Sequence, residues 1–98
     1  MELVKNQNAN ELVIEVIGRL DTTTAPQLEN EVKNSLDGIE SLILDFAKLE
    51  YVSSAGLRVI LAAQKKMTAQ GSLTVKNVND DIMEVFEITG FSDILTIE

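Results

Sequence analysis

Apolar and polar positions change their period several times along the chain, and each change predicts an element. Leu12–Ile17 (LVIEVI) is apolar and rich in β-branched residues, the composition of a strand. Glu2–Lys5 alternates weakly ahead of it, and the polar cluster Asn6–Asn10 separates the two, so the start of the chain reads as a β-hairpin. Gly18 closes the second strand. In the following GRLDTTTAP, Thr24 is the expected N-cap, with Pro26 in the first turn and Gln27 at the capping-box position. Ala25, Leu28, Val32 and Leu36 then recur at helical spacing until Asp37-Gly38 stops the helix.

Leu42–Leu44 is a continuous apolar run between Ser41 and Asp45, the pattern of a buried strand covered on both faces. A loop leads from it to Ser53 and Ser54, where a second helix starts and runs to just before Gly71. Gly56, Ile60, Ala63 and Met67 form its inward stripe, while Ser54, Arg58, Leu61 and Lys65 form an outward one on which Leu61 is expected to stay solvent-exposed. Ser72–Lys76 (SLTVK) alternates like a strand. Asn79 is placed to cap a third helix, with Val78 and Met83 as a hydrophobic staple and Ile82, Val85, Phe86 and Thr89 facing inward. Gly90 ends that helix, and Ile94–Ile97 predicts a last short strand. The order is β-β-α-β-α-β-α-β. Right-handed crossovers between these strands make an α/β fold: one domain over residues 1–98, with a mixed, mostly parallel sheet, an antiparallel first strand and helices mainly on one face.

Composition narrows the function. The 98 residues include no cysteine and no histidine, which removes thiol chemistry, soft-metal sites and imidazole acid–base catalysis together. Eight basic against sixteen acidic residues give a net charge of −8, which opposes binding to nucleic acid and to acidic membranes and favours a protein partner. No apolar run approaches the roughly 20 residues needed to span a bilayer, and MELVKNQNAN lacks the segments of a signal peptide, so a cytoplasmic location is expected.

Ser54 stands at a strand–loop–helix junction much like a nucleophile elbow, but the elbow requires glycine two residues earlier, where Val52 stands, and there is no histidine to serve as base. Helix capping needs only one of the two serines. Projection onto the helix makes Ser53 the better cap and Ser54 the better surface group. Gly56 falls within the first turn, where alanine would favour the helix by up to about 1 kcal/mol, so close approach of another backbone is expected there. The acidic residues Asp21, Asp45, Glu50, Asp80 and Asp81 have no metal-loop spacing and read as solvated or capping groups. The glycines form neither a dinucleotide fingerprint nor a Walker loop.

Three segments together resemble the STAS domain, and within it the anti-sigma factor antagonists of bacteria: GRLDTTTAPQLE at Gly18–Glu29, LILDFAKLEYVSSAGLRVIL at Leu42–Leu61, and GFSDILTI at Gly90–Ile97. The family pattern around the regulatory serine is Asp-Ser-(Ser, Thr or Ala)-Gly-Leu, so Ser54-Ala55-Gly56-Leu57 matches, with Ser54 as phosphoacceptor. Ser53 departs from it, standing where the family carries aspartate, and Asp21 matches the acidic residue placed near the serine. The resemblance implies a STAS-like fold and a phosphorylation-controlled switch. The unmodified protein would bind an anti-sigma factor that is also a serine kinase, releasing sigma factor; phosphorylation would break that binding and a serine phosphatase would restore it. Nucleotide and magnesium would belong to the kinase, so no cofactor, metal or small-molecule substrate is expected for this chain. The expected partner surface comprises Asp21, Ser54, Gly56, Leu57, Arg58 and Leu61. The alternative is a constitutive, unphosphorylated STAS module serving as a subunit of a transporter or signalling complex.

Overall fold

The computed structural model describes residues 1–98 and builds them around a six-stranded mixed sheet. Strand β1 (Glu2–Asn8) pairs antiparallel with β2 (Glu11–Leu20), and positive φ at Ala9 allows the tight turn between them. From β2 the sheet continues in parallel through β3 (Ser41–Asp45), β5 (Ser72–Lys76) and β6 (Thr96–Ile97). The predicted neighbours Leu12–Ile17, Leu42–Leu44 and Leu73–Val75 are therefore adjacent and parallel. Register aligns Leu12 with Leu42 and Ile14 with Leu44, and these with Leu73 and Val75; these six and Val16, further along β2, are buried on one face.

The opposite face is only partly covered. Ile43, aligned there with Val13 and Thr74, is half-buried, so the apolar run Leu42–Leu44 is not a strand enclosed on both sides. An apolar residue on a half-open sheet face produces the same continuous run as a fully enclosed strand. Helices α1 (Ala25–Ser35) and α2 (Ser54–Gln70) pack on one another, with α2 against β5, while α3 (Asp80–Thr89) lies against β4 (Leu49–Val52) and a 3-10 turn at Phe91–Asp93. The last predicted strand is shortened to Thr96–Ile97 by that turn. The buried side chains of all these elements join in one cluster.

Strand β4 is the element that the apolar pattern does not reveal. Asp45 ends β3 by accepting from the Ala47 amide at 3.0 Å and from the Asn77 side chain at 2.9 Å, which turns the chain into a short link before β4. Strand β2 meets the new strand by changing register: it pairs with β3 through Glu15, bulges at Gly18, where φ is +102°, and pairs with β4 from there to Leu20. A bulge adds twist and re-aims the residues that follow. In β4, Leu49 and Val52 are buried while Glu50 and Tyr51 are exposed, so the strand lacks the alternation by which strands are recognised.

Candidate functional site

Strands β2 and β4 end side by side, and the ends carry the site. The Ser53 amide donates to the Leu20 carbonyl at 2.8 Å, which places Asp21 beside the two serines. Ser53 is the N-cap of α2: its backbone is extended, and its Oγ accepts from the Gly56 amide at 3.3 Å. This is the role expected of it. Ser54 is the first residue of α2 and is exposed, and its Oγ makes no hydrogen bond within the chain. It therefore presents a free hydroxyl at the helix N-terminus, where unpaired amides and the helix dipole favour negative charge.

Asp21 holds the turn into α1. Its Oδ1 accepts from the Thr23 amide at 3.0 Å and the Thr24 amide at 3.1 Å, and lies 3.2 Å from Thr24 Oγ1. These contacts, the Thr24 amide first and then the Thr24 hydroxyl, the Thr23 amide and the Arg19 charge, outweigh partial burial and hold the carboxyl below the ordinary 3.8 of aspartate. Thr24 is thus not the side-chain cap that the sequence predicts. Its backbone is helical, and its hydroxyl accepts from the Asp21 amide at 2.8 Å while sharing its one hydrogen between the Arg19 carbonyl at 2.8 Å and Asp21 Oδ1 at 3.2 Å. Nor does Gln27 complete a capping box. Asp21 is the residue whose carboxylate collects the free amides of this turn.

Two residues of the site escape sequence reasoning. Arg19 and Tyr51 are paired across β2 and β4, the guanidinium lies 4.3 Å from the Tyr51 ring centroid, and Arg19 Nε lies 3.9 Å from Asp21 Oδ2. Finding this pair from sequence would require β4, and β4 has no periodic signal. On α2, Arg58 is exposed and lines, with Thr22, Pro26, Glu29, Ala55 and Val59, a groove of about 210 Å³ between α1 and α2.

The expected contact residues divide into three sets. Asp21, Ser54 and Arg58 reach solvent. Gly56 and Leu57 do not: both are buried, because α2 packs on β2 and β4 through its first turn as well as on α1. Their role is to seat the helix beneath the site. Leu61 is half-buried rather than exposed, since Leu57, one turn before it, is part of the core and Leu61 stands at the margin of the buried face. The contact at Gly56 also differs from expectation. A Cβ there would lie 2.7 Å from Leu20 Cγ and 3.0 Å from Val52 Cγ2, so side chains rather than backbone fill the space. Close backbone approach occurs instead at Gly71, where a Cβ would run into the Glu40 carbonyl.

Fold and site together define a small α/β domain that presents a serine hydroxyl at a helix N-terminus beside a structured acidic turn. The STAS domain model matches residues 1–98, and the chain belongs to the STAS domain family. It is 35% identical to BtrV of Bordetella bronchiseptica, proposed to be an anti-sigma factor antagonist, over 99% of this chain and 85% of that protein. It is 34% identical to the anti-sigma-B factor antagonist of Listeria monocytogenes, over 97% of this chain and 85% of that one. Among solved structures, an anti-sigma factor antagonist from Mycobacterium paratuberculosis superposes with a TM-score of 0.88 at 22% identity, covering 98% of this chain and 83% of that one. Unphosphorylated SpoIIAA superposes with 0.79 at 17%, covering 99% and 87%. These structural likenesses show the fold. No helix of the chain is long and apolar enough to cross a membrane.

Proposed function

We propose that this protein is an anti-sigma factor antagonist that binds an anti-sigma factor serine kinase, and that phosphorylation of Ser54 ends the binding. The observation that supports this best is the division of labour between the serines. Ser53 is committed to the cap, and Ser54 is left exposed with its hydroxyl unpaired. The names of the relatives point the same way. Serine in place of the family aspartate at position 53 preserves the cap, because both residues accept from helix amides, and removes only a charge. The contact surface comprises Asp21, Ser54, Arg58 and Leu61 over the buried pair Gly56 and Leu57. The protein acts by binding rather than by catalysis, and a serine phosphatase resets it.

Phosphate adds about −1.5 to −2 charges at neutral pH, and the N-terminus of α2 accommodates them. The effect therefore falls on the interface. Helix α2 carries Arg58, Lys65 and Lys66 and no carboxylate, a basic surface on a chain of net charge −8. A complementary partner face is acidic, and a desolvated dianion opposite it is strongly unfavourable. The test is incubation with candidate anti-sigma kinases and ATP, followed by intact mass and partner binding. One added phosphate that disappears in Ser54→Ala, with loss of binding in the phosphorylated chain and in Ser54→Asp, is the expected result. Stable binding of an anti-sigma partner by fully phosphorylated chain would instead support a constitutive module, a reading kept open by the uncharged Ser53.

A further inference from the structure

We propose that Arg19 and Arg58 form an intramolecular clamp that closes on a phosphate at Ser54. This rests on the reading of Ser54 as phosphoacceptor and adds what the chain itself does with the phosphate. Arg58 follows Ser54 by four residues on α2, so the two side chains are neighbours on one helix face with Cβ atoms about 5–6 Å apart, the acid preceding the base as helix pairs prefer. Arg19 approaches from the other side. It is paired with Tyr51, three residues before Ser54, which puts its Cα roughly 10 Å from that of Ser54 at ordinary strand spacings. An extended arginine and a phosphoserine together span that distance.

The Arg19 guanidinium is also held ready. Stacking 4.3 Å from the Tyr51 ring centroid restrains its plane, while its edge makes no hydrogen bond within the chain beyond the 3.9 Å approach to Asp21. That approach is readily given up, because Asp21 Oδ1 draws its hydrogen bonds from Thr23 and Thr24 without Arg19. A phosphate offers three acceptor oxygens and the planar fork of arginine matches them in pairs, so the dianion outcompetes a single carboxylate oxygen at longer range. Both arginines are solvent-exposed in the unmodified chain and available to a partner. Once clamped they are not, so phosphorylation removes two cations from the interface besides adding negative charge. Asp21, 3.9 Å from Arg19, and Glu29, which lines the same groove as Arg58, are carboxylates beside the clamp and oppose it. They remain in every variant below, so their effect cancels in the comparison.

The experiment places phosphoserine at position 54 of the full chain during translation and follows the second phosphate ionisation by ³¹P NMR at low salt. Arg19→Gln and Arg58→Gln should each raise that pKa by about 0.3 unit, and the double variant by about 0.6. The Nε–H resonances of both arginines should shift between the serine and phosphoserine forms of the parent. Circular dichroism melts confirm that the exposed substitutions leave the fold intact. A double variant within about 0.1 unit of the parent overturns the clamp, and a rise confined to one arginine overturns the pairing. Because translation installs the phosphate, this outcome is independent of whether any kinase modifies Ser54, the question on which the switch itself depends.

Discussion

Gly56→Ala sets two known effects against each other, and the structure decides the sign. In a helix, alanine is favoured over glycine by up to about 1 kcal/mol, less within the first turn. Against this, the added Cβ would lie 2.7 Å from Leu20 Cγ and 3.0 Å from both Leu20 Cδ2 and Val52 Cγ2. Leu20 is fully buried, the closest atom is its branch point rather than a movable tip, and Val52 is 5% exposed, so neither can turn away into solvent. Overpacking of this kind costs about 1–3 kcal/mol, and the upper half of that range applies where the neighbours cannot yield. The net expectation is destabilisation by about 1–3 kcal/mol, which lowers the melting temperature of a domain this size by about 5–20 °C. Thermal and urea melts followed by circular dichroism read it directly. A variant that melts at or above the parent would refute the reasoning, since helix propensity would then have prevailed and the contact with Leu20 would be one the core relieves at no cost.

Removing the cap with Ser53→Ala should cost about 1 kcal/mol, seen as a lower urea midpoint with unchanged slope, and an unaffected midpoint would show that water replaces the serine at no cost. Asp21→Asn tests the acid-side stability. Since the folded chain holds this carboxyl below 3.8, its charge stabilises the fold above the unfolded value and ceases to do so as the pH falls through the folded value. The stability gap between parent and variant should therefore be widest near neutrality and narrow in acid; a gap independent of pH would rule out this role for the charge. Leu61→Ala should cost roughly 1 kcal/mol, short of the 2–5 typical of enclosed leucines, while weakening binding of an identified anti-sigma partner. A loss within the fully enclosed range, or unaltered binding, would place Leu61 outside the contact surface.

The apolar periods by themselves determined most of the architecture. They predicted the β1–β2 hairpin, the inward stripes Ala25–Leu28–Val32 of α1 and Ile60–Ala63–Met67 of α2, and the parallel alignment of Leu12–Ile17 with Leu42–Leu44 and Leu73–Val75, because burying each stripe against one sheet face leaves few arrangements. Local chemistry was equally legible where one side chain meets a nearby amide, as with Ser53 capping α2 and Asn79 capping α3 by accepting from Ile82 N at 2.9 Å. Thr89 departs from its predicted inward place, lying exposed with its hydroxyl donating to the Val85 carbonyl. What only the tertiary structure decided depends on segments far apart in the chain. Strand β4 exists because a bulge at Gly18 turns β2 toward it, and its burial pattern has no period of its own to read. The placing of Arg19 over Tyr51 and the side-chain contact at Gly56 in place of a backbone one both follow from how β2 and β4 end together, whereas the α1 turn is local chemistry in which Asp21 takes the amides that the capping pattern assigns to Thr24. Spacing along a sequence records which face a residue takes within its own element, whereas the neighbour it meets across a gap is set by the register and twist of the strands that bring the gap together.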